Sequence, residues 1–114
     1  MELKLYCELY VSECWREKKE KLISRLKKNR LQPRVYLITL AQGGQNHLEF
    51  FSSVLLKQHV FDSRELFLVG IADGYDECLA MTEEIAGLVC RRTGGTDIRG
   101  YILARQDEFE KTGR

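Results

Sequence analysis

His47 and Glu49 have the residue types for acid–base catalysis and stand two positions apart, just after a glycine-rich turn. A histidine beside a carboxylate can transfer protons near neutral pH, because the unperturbed imidazole pKa is about 6.5. No motif places a serine or cysteine nucleophile with this pair. An enzyme using His47 is therefore kept as the second alternative function, and the sequence assigns no catalytic residue.

A basic segment over residues 13–34 has the charge needed to contact phosphates. It holds nine Lys and Arg against three Glu, although the net charge of the chain is only +1. Such a segment can bind nucleic acid or an acidic partner. It can equally be a solvated helix with internal pairs such as Glu17 with Lys21. This binding is the first alternative function, with nucleic acid a less favoured partner, and the basic surface would comprise Lys18, Lys19, Lys21, Arg25 and Lys28.

The cysteines do not have the spacing of a metal site. None belongs to a C-x-x-C pair, and neither histidine lies near a cysteine in the sequence. Zinc sites in proteins show such close ligand spacings. We therefore predict no metal and no cofactor, and four reduced, largely buried cysteines, which are Cys7, Cys14, Cys78 and Cys90.

The turn over residues 70–74 joins an apolar strand to a helix. Free N–H groups at such a junction can bind an anion. Here acidic side chains follow the strand, and neither a P-loop nor a G-x-G-x-x-G pattern is present. We expect Asp73 to cap the following helix and Ser12 to cap the helix over residues 13–29. The glycines at positions 43 and 44 are likewise expected to form a turn. The segment over residues 70–78, with the later Thr93-Gly94-Gly95, resembles segments of small bacterial proteins, a likeness that implies no activity.

The elements that must position these residues follow from hydrophobic periodicity. Strict alternation over residues 3–11 predicts a strand, and apolar spacing after Asp73 predicts a long helix. Further strands are predicted over 35–41, 47–51, 66–72 and 98–104, with a short helix over 54–60. The order resembles a ferredoxin-like β-α-β-β-(α)-β-α-β plan. We predict one α+β domain over residues 1–104, with a mixed sheet of four to five strands and two long helices on one face. Residues 105–114 would form a polar C-terminal tail.

The sheet face turned away from these helices is the predicted binding surface. Strands 35–41 and 66–72 are apolar on nearly both faces. Helices on one side would leave a large apolar patch exposed, which monomers rarely do. A homodimer through this face is therefore predicted, with a small ligand possible in the resulting cleft. The residues of this surface are Tyr6, Tyr10, Tyr36, Leu40, Tyr101 and Arg99, with Ile38 and Leu103 adding apolar area.

The sequence also bounds the compartment. No run approaches the roughly 18 apolar residues of a membrane span. The first residues carry no secretion-signal pattern, which leads us to expect a cytoplasmic protein with no membrane partner. Tyrosines on a sheet can stack nucleobases, but the aromatic consensus of RNA-recognition sheets is absent. The favoured function is thus a non-enzymatic homodimeric interaction module or a small-ligand-binding module.

Overall fold

A computed structural model describes residues 2–28, 34–40, 48–58 and 65–113 as an α+β fold with a four-stranded mixed sheet. Short 3₁₀ helices at Glu13–Lys18 and Ser53–Gln58 follow the first and third strands. The strands are β1 (Glu2–Val11), β2 (Val35–Leu40), β3 (Leu48–Ser52) and β4 (Glu65–Asp73). The helices are α1 (Lys19–Lys27), α2 (Gly74–Thr93) and α3 (Ile98–Thr112).

The central feature of the sheet is β4, which pairs with β1 on one side and β2 on the other, in the order β1-β4-β2-β3. The β1–β4 pair is parallel, and both β2 pairs are antiparallel. Opposite Ile38 and Thr39 of β2, an extra residue in β4 shifts the register, because these two pair with Gly70 and Leu68. The alternation of side chains in β4 therefore changes at this bulge, and both of its faces remain apolar.

The first face of the sheet packs against α1. Leu22, Ile23 and Leu26 of α1 are buried, and Leu26 has no exposed surface. They meet alternate strand residues, as the period of two in a strand requires. The strand side chains buried in this layer are Val35, Leu37, Leu66, Leu68 and Ile71.

The second face packs against α2 and α3, so the helices lie on both faces of the sheet. Cys78 and Ile85 of α2 and Ile102 of α3 form one buried group with the strands. The strand side chains buried in this layer are Tyr6, Ile38, Leu40, Val69 and Ala72. The prediction of both long helices on one face is wrong, because α1 packs on the first face and α2 on the second.

The segment over residues 98–104, predicted as a closing strand, is the first half of α3. The Asp97 carboxylate caps this helix by accepting a hydrogen bond from the Gly100 N–H at 3.0 Å. Ile98 and Ile102 then stand one helical turn apart on the buried side. The helix continues to Thr112, so the tail predicted over 105–114 belongs mainly to α3. The described residues do not confirm a fifth strand or the ferredoxin-like order.

The helix α3 also covers part of the outer edge of β1. The side chain of Gln106, only 6% exposed, accepts a hydrogen bond from the Cys7 backbone N–H at 2.7 Å. Nearby, Arg105 pairs with Glu8 at 3.0 Å. An edge strand with unpaired N–H groups invites pairing with other chains. The contacts of α3 therefore satisfy this edge at Cys7.

Candidate functional site

The carboxyl ends of β1 and β4 lie side by side, and the helices that follow them turn to opposite faces of the sheet. The 3₁₀ helix and α1 follow β1 onto the first face, whereas α2 follows β4 onto the second. The Ser12 N–H donates to the Ile71 carbonyl at 2.9 Å, which aligns the two strand ends. In open α/β sheets, ligands bind in the crevice where adjacent parallel strands send their helices apart.

A groove of about 530 Å³ opens beside this point. Its floor is the last part of β1. One wall is the first part of the basic segment, from the 3₁₀ helix to the first residue of α1, and the other wall is α2. This volume falls in the range of small-molecule sites, about 300–1,000 Å³. The described residues that line the groove are Glu8, Leu9, Tyr10, Val11, Arg16, Lys19, Met81 and Glu84.

The two walls of the groove carry opposite charges. Arg16 and Lys19 stand on the first wall, and Glu84 stands on the second. Burial, followed by the negative charges of Glu84 and Glu8, raises the pKa of Tyr10. The phenol therefore stays protonated at neutral pH and can both donate and accept a hydrogen bond.

Gly70 lies beneath Met81, one of the side chains that line the groove. A Cβ atom at this position would stand 2.9 Å from Met81 Sδ and 3.2 Å from Ile38 Cδ1. Met81 lines the groove, and the missing side chain at Gly70 leaves room for the methionine to lie against the sheet. Glycine at this position lets the Met81 side chain approach β4 closely without a shift.

A polar cluster lies at the strand ends and holds the junction together. Asp73 accepts two hydrogen bonds from Arg34, from Nε at 3.0 Å and from Nη2 at 3.1 Å. The Asp73 backbone N–H donates to Ser12 Oγ at 3.0 Å. Neither Asp73 nor Ser12 makes a side-chain capping bond to the helix that follows it. The predicted capping roles are therefore wrong: both side chains bridge between segments.

The same cluster places Cys14, Asp73 and Glu77 close enough to hold one metal ion together, since one donor atom of each lies within 4.8 Å of the others. The hydrogen bond from Arg34 lowers the pKa of Asp73. Desolvation, then the hydrogen bond to Asp73, raises the pKa of the Cys14 thiol. Arg34 already donates to both carboxylate oxygens of Asp73, so this carboxylate is not free to bind a metal ion. We therefore interpret this cluster as a structural contact that joins the ends of β1 and β4 to the start of β2.

The residues of the predicted sheet surface do lie together, but within the chain's own interior. Tyr6 and Leu40 are each 4% exposed beneath α2 and α3. Tyr10, Tyr36 and Tyr101 are half-buried against the same group. Burial is the largest cause that raises the pKa of Tyr6. Arg99 is half-buried at the start of α3, and Leu103 is exposed on its outer side.

The other predicted sites have different outcomes. The basic side chains Lys18, Lys19, Lys21, Arg25 and Lys28 are all exposed, and Lys19 also lines the groove. His47 and the turn over residues 43–46 lie outside the described residues, so catalysis by His47 stays a prediction.

The cysteines are free, as predicted, but their predicted burial holds only in part. Cys78 is buried and burial raises its pKa to about 11, Cys7 is half-buried, and Cys14 and Cys90 are exposed.

Sequence reasoning missed Arg34, Met81 and Glu84 as groove or cluster residues. One signal was available: polar residues follow two apolar strands directly, at Ser12 and at Asp73. If those strands are paired in parallel, the two junctions must meet at one end of the sheet.

In comparisons with known proteins, no family model, curated protein or solved structure matches this chain. Among the described residues, no helix combines the length and apolar character needed to cross a membrane. Function is therefore inferred from the geometry of the side chains.

Proposed function

We propose that this protein binds a small polar molecule in the groove between the basic helical segment and α2. One observation carries the proposal: a groove of about 530 Å³ runs along the carboxyl end of β1, between the start of the basic segment and α2. It lies next to the point where β1 and β4 send their helices to opposite faces, the kind of position near which ligands bind in open sheets. The lining combines apolar surface from Leu9, Val11 and Met81 with charged groups on both walls, a mixture typical of ligand sites.

The proposal can be tested by filling the groove. The probes are four classes of small molecule, namely amino acids and short peptides, dicarboxylates, polyamines and sugar phosphates. Binding is measured by ligand-observed NMR and by isothermal titration calorimetry. We expect at least one class to bind the native chain and to lose that binding in Met81→Trp, whose indole would occupy the groove.

The matched control is Leu79→Trp. Leu79 lies on the same helix but is 39% exposed and does not line the groove. Binding that survives Met81→Trp, or that disappears equally in Leu79→Trp, would contradict the proposal. Circular dichroism of both variants checks that the fold is retained.

Binding of nucleic acid or an acidic partner remains the alternative proposal, supported by the exposure of Lys21, Arg25 and Lys28 on the basic segment. Phosphate contacts release counterions, so affinity must fall steeply with salt. We expect fluorescence anisotropy with duplex DNA and RNA probes to show weak binding that disappears at physiological salt and falls further in Lys21→Gln/Arg25→Gln. Sequence-selective, submicromolar binding at physiological salt would place this alternative first.

A further inference from the structure

We infer that the groove takes an amino-carboxylate, that is, a free amino acid or a short peptide carrying both an ammonium and a carboxylate group. This inference rests on the proposed binding function and names the ligand class for it. It is carried by the charges of the two walls and by the backbone of the strand between them.

The charges that face the groove are available to a ligand. The ion pairs formed within the described ranges join Lys4 to Glu110, Arg34 to Asp73, Arg105 to Glu8, and Lys111 to Asp107. None of them uses Arg16, Lys19 or Glu84. Of the four charged groups in the described lining, only Glu8 forms an ion pair with a described neighbour, Arg105.

The opposite walls do not neutralise each other. No nitrogen of Arg16 or Lys19 lies within ion-pair distance of Glu84 in the described part of the chain, so a gap separates the two signs of charge. A ligand with a carboxylate at one end and an ammonium at the other bridges this gap with charge-assisted hydrogen bonds at both ends. A dicarboxylate would meet Glu84 with like charge, and a polyamine would meet Arg16 and Lys19 in the same way.

The floor supplies backbone groups between these charges. Ser12 directs its N–H toward β4, since it donates to the Ile71 carbonyl. Alternation along a strand then turns the amide groups of Val11 away from β4. No strand covers this outer side of β1 within the described residues. An extended peptide bond can therefore pair with Val11, as in recognition by strand addition.

The experiment compares trialanine, its N-acetylated form, its C-amidated form and free leucine by calorimetry at low salt. Each charge is held at an exposed site, so we expect loss of either end charge to weaken binding about fivefold. Weaker binding of leucine than of trialanine would assign the site to peptides, and equal or tighter binding would assign it to free amino acids; both results support the class.

Variants that neutralise one wall at a time show which wall binds each end of the ligand. Glu84→Gln should weaken the binding of trialanine about fivefold but leave the binding of the N-acetylated form unchanged. Arg16→Gln/Lys19→Gln should weaken the binding of trialanine and leave the binding of the C-amidated form unchanged. The controls Glu83→Gln and Lys21→Gln alter neighbouring exposed charges that do not line the groove. If both blocked peptides bind as tightly as trialanine, or if only another ligand class binds in a Met81-dependent manner, the amino-carboxylate inference is overturned while groove binding stands. If trialanine binds equally to Met81→Trp, the groove itself is wrong.

Discussion

The ion pair between Arg34 and Asp73 makes the stability of the β2–β4 junction depend on pH. Because Arg34 lowers the pKa of Asp73 in the folded chain, the folded state holds this carboxylate ionised to lower pH than the unfolded state does. The stabilisation is fully present above 3.8, the ordinary pKa of this carboxyl group. It is lost as the pH falls through the lower pKa that Asp73 has in the folded chain. We expect Asp73→Asn to be less stable than the native chain at neutral pH, with the difference closing below pH 3.8.

Urea unfolding across this pH range measures the effect, and Arg34→Gln should show the same convergence. Asp76→Asn, which changes an exposed carboxylate in the first turn of α2, is the control. A difference between Asp73→Asn and the native chain that stays constant into strong acid would show that Asp73 acts without its charge.

Gly70 links the packing of one residue to the shape of the groove. Gly70→Ala brings a Cβ within 2.9 Å of Met81 Sδ, so the methionine side chain, which lines the groove, must shift. Because that sulfur belongs to a flexible side chain, we expect a loss of about 1 kcal/mol in the free energy of unfolding, together with weaker ligand binding. Gly87→Ala, whose Cβ would meet only the flexible Arg91 side chain at 3.2 Å, is the comparison and should gain about 0.5–1 kcal/mol. Unchanged binding in Gly70→Ala would separate Met81 from the site.

At the scale of the elements, α3 replaces the missing neighbour of β1 at Cys7. Gln106→Met removes the acceptor for the half-buried Cys7 backbone N–H, which should cost about 1 kcal/mol, the low end for an unsatisfied donor. Hydrogen exchange at the Cys7 amide should accelerate beyond the change in global stability. Glu108→Met places the same side chain on the exposed side of α3 and should be nearly neutral. An unaltered Cys7 exchange rate in Gln106→Met would mean that the strand edge is protected by something else.

The elements also show what periodicity can and cannot predict. The alternation of β1 and the helical spacing of α2 are long patterns, and both elements form where predicted. Residues 98–104 are a short apolar run with Gly100 in its middle, which favours neither period clearly. The length of α3 and the cap at Asp97 decide the matter, but Asp97 lies in a glycine-rich turn and its capping role shows only once the helix is known.

For the whole molecule, the layer formed by α2 and α3 removes the reason to expect a second copy on the sheet. Leu40 is 4% exposed within one chain, so Leu40→Glu buries an unpaired charge and should cost more than about 3 kcal/mol. Leu103→Glu, at a position 41% exposed, should be nearly neutral. We expect sedimentation of the native chain at micromolar concentration to show a monomer. A stable dimer that Leu40→Glu converts to a folded monomer would restore the predicted sheet-face interface.

The groove could not be predicted from the sequence, because it depends on which strands pair. A sequence shows that strands exist, but the pairing of β1 with β4 joins residues as distant as Glu2 and Glu65. The position of the groove depends on that pairing and on the opposite faces that α1 and α2 cover. Local patterns carry neither, because both are decided by packing across the whole chain.

The parallel pairing of β1 with β4 has a consequence for how the chain folds. The only strand beside β1 in the described structure is the last one to emerge from the ribosome. The entropy of closing such a long loop must be met before β1 gains any ladder contact, so folding should be slow for a chain of this size. A nascent chain ending before residue 65 would carry an unpaired apolar strand, which is a target for aggregation and for chaperones. Fragments of increasing length, followed by circular dichroism and light scattering, should aggregate until β4 is included; a folded fragment lacking β4 would refute this order of events.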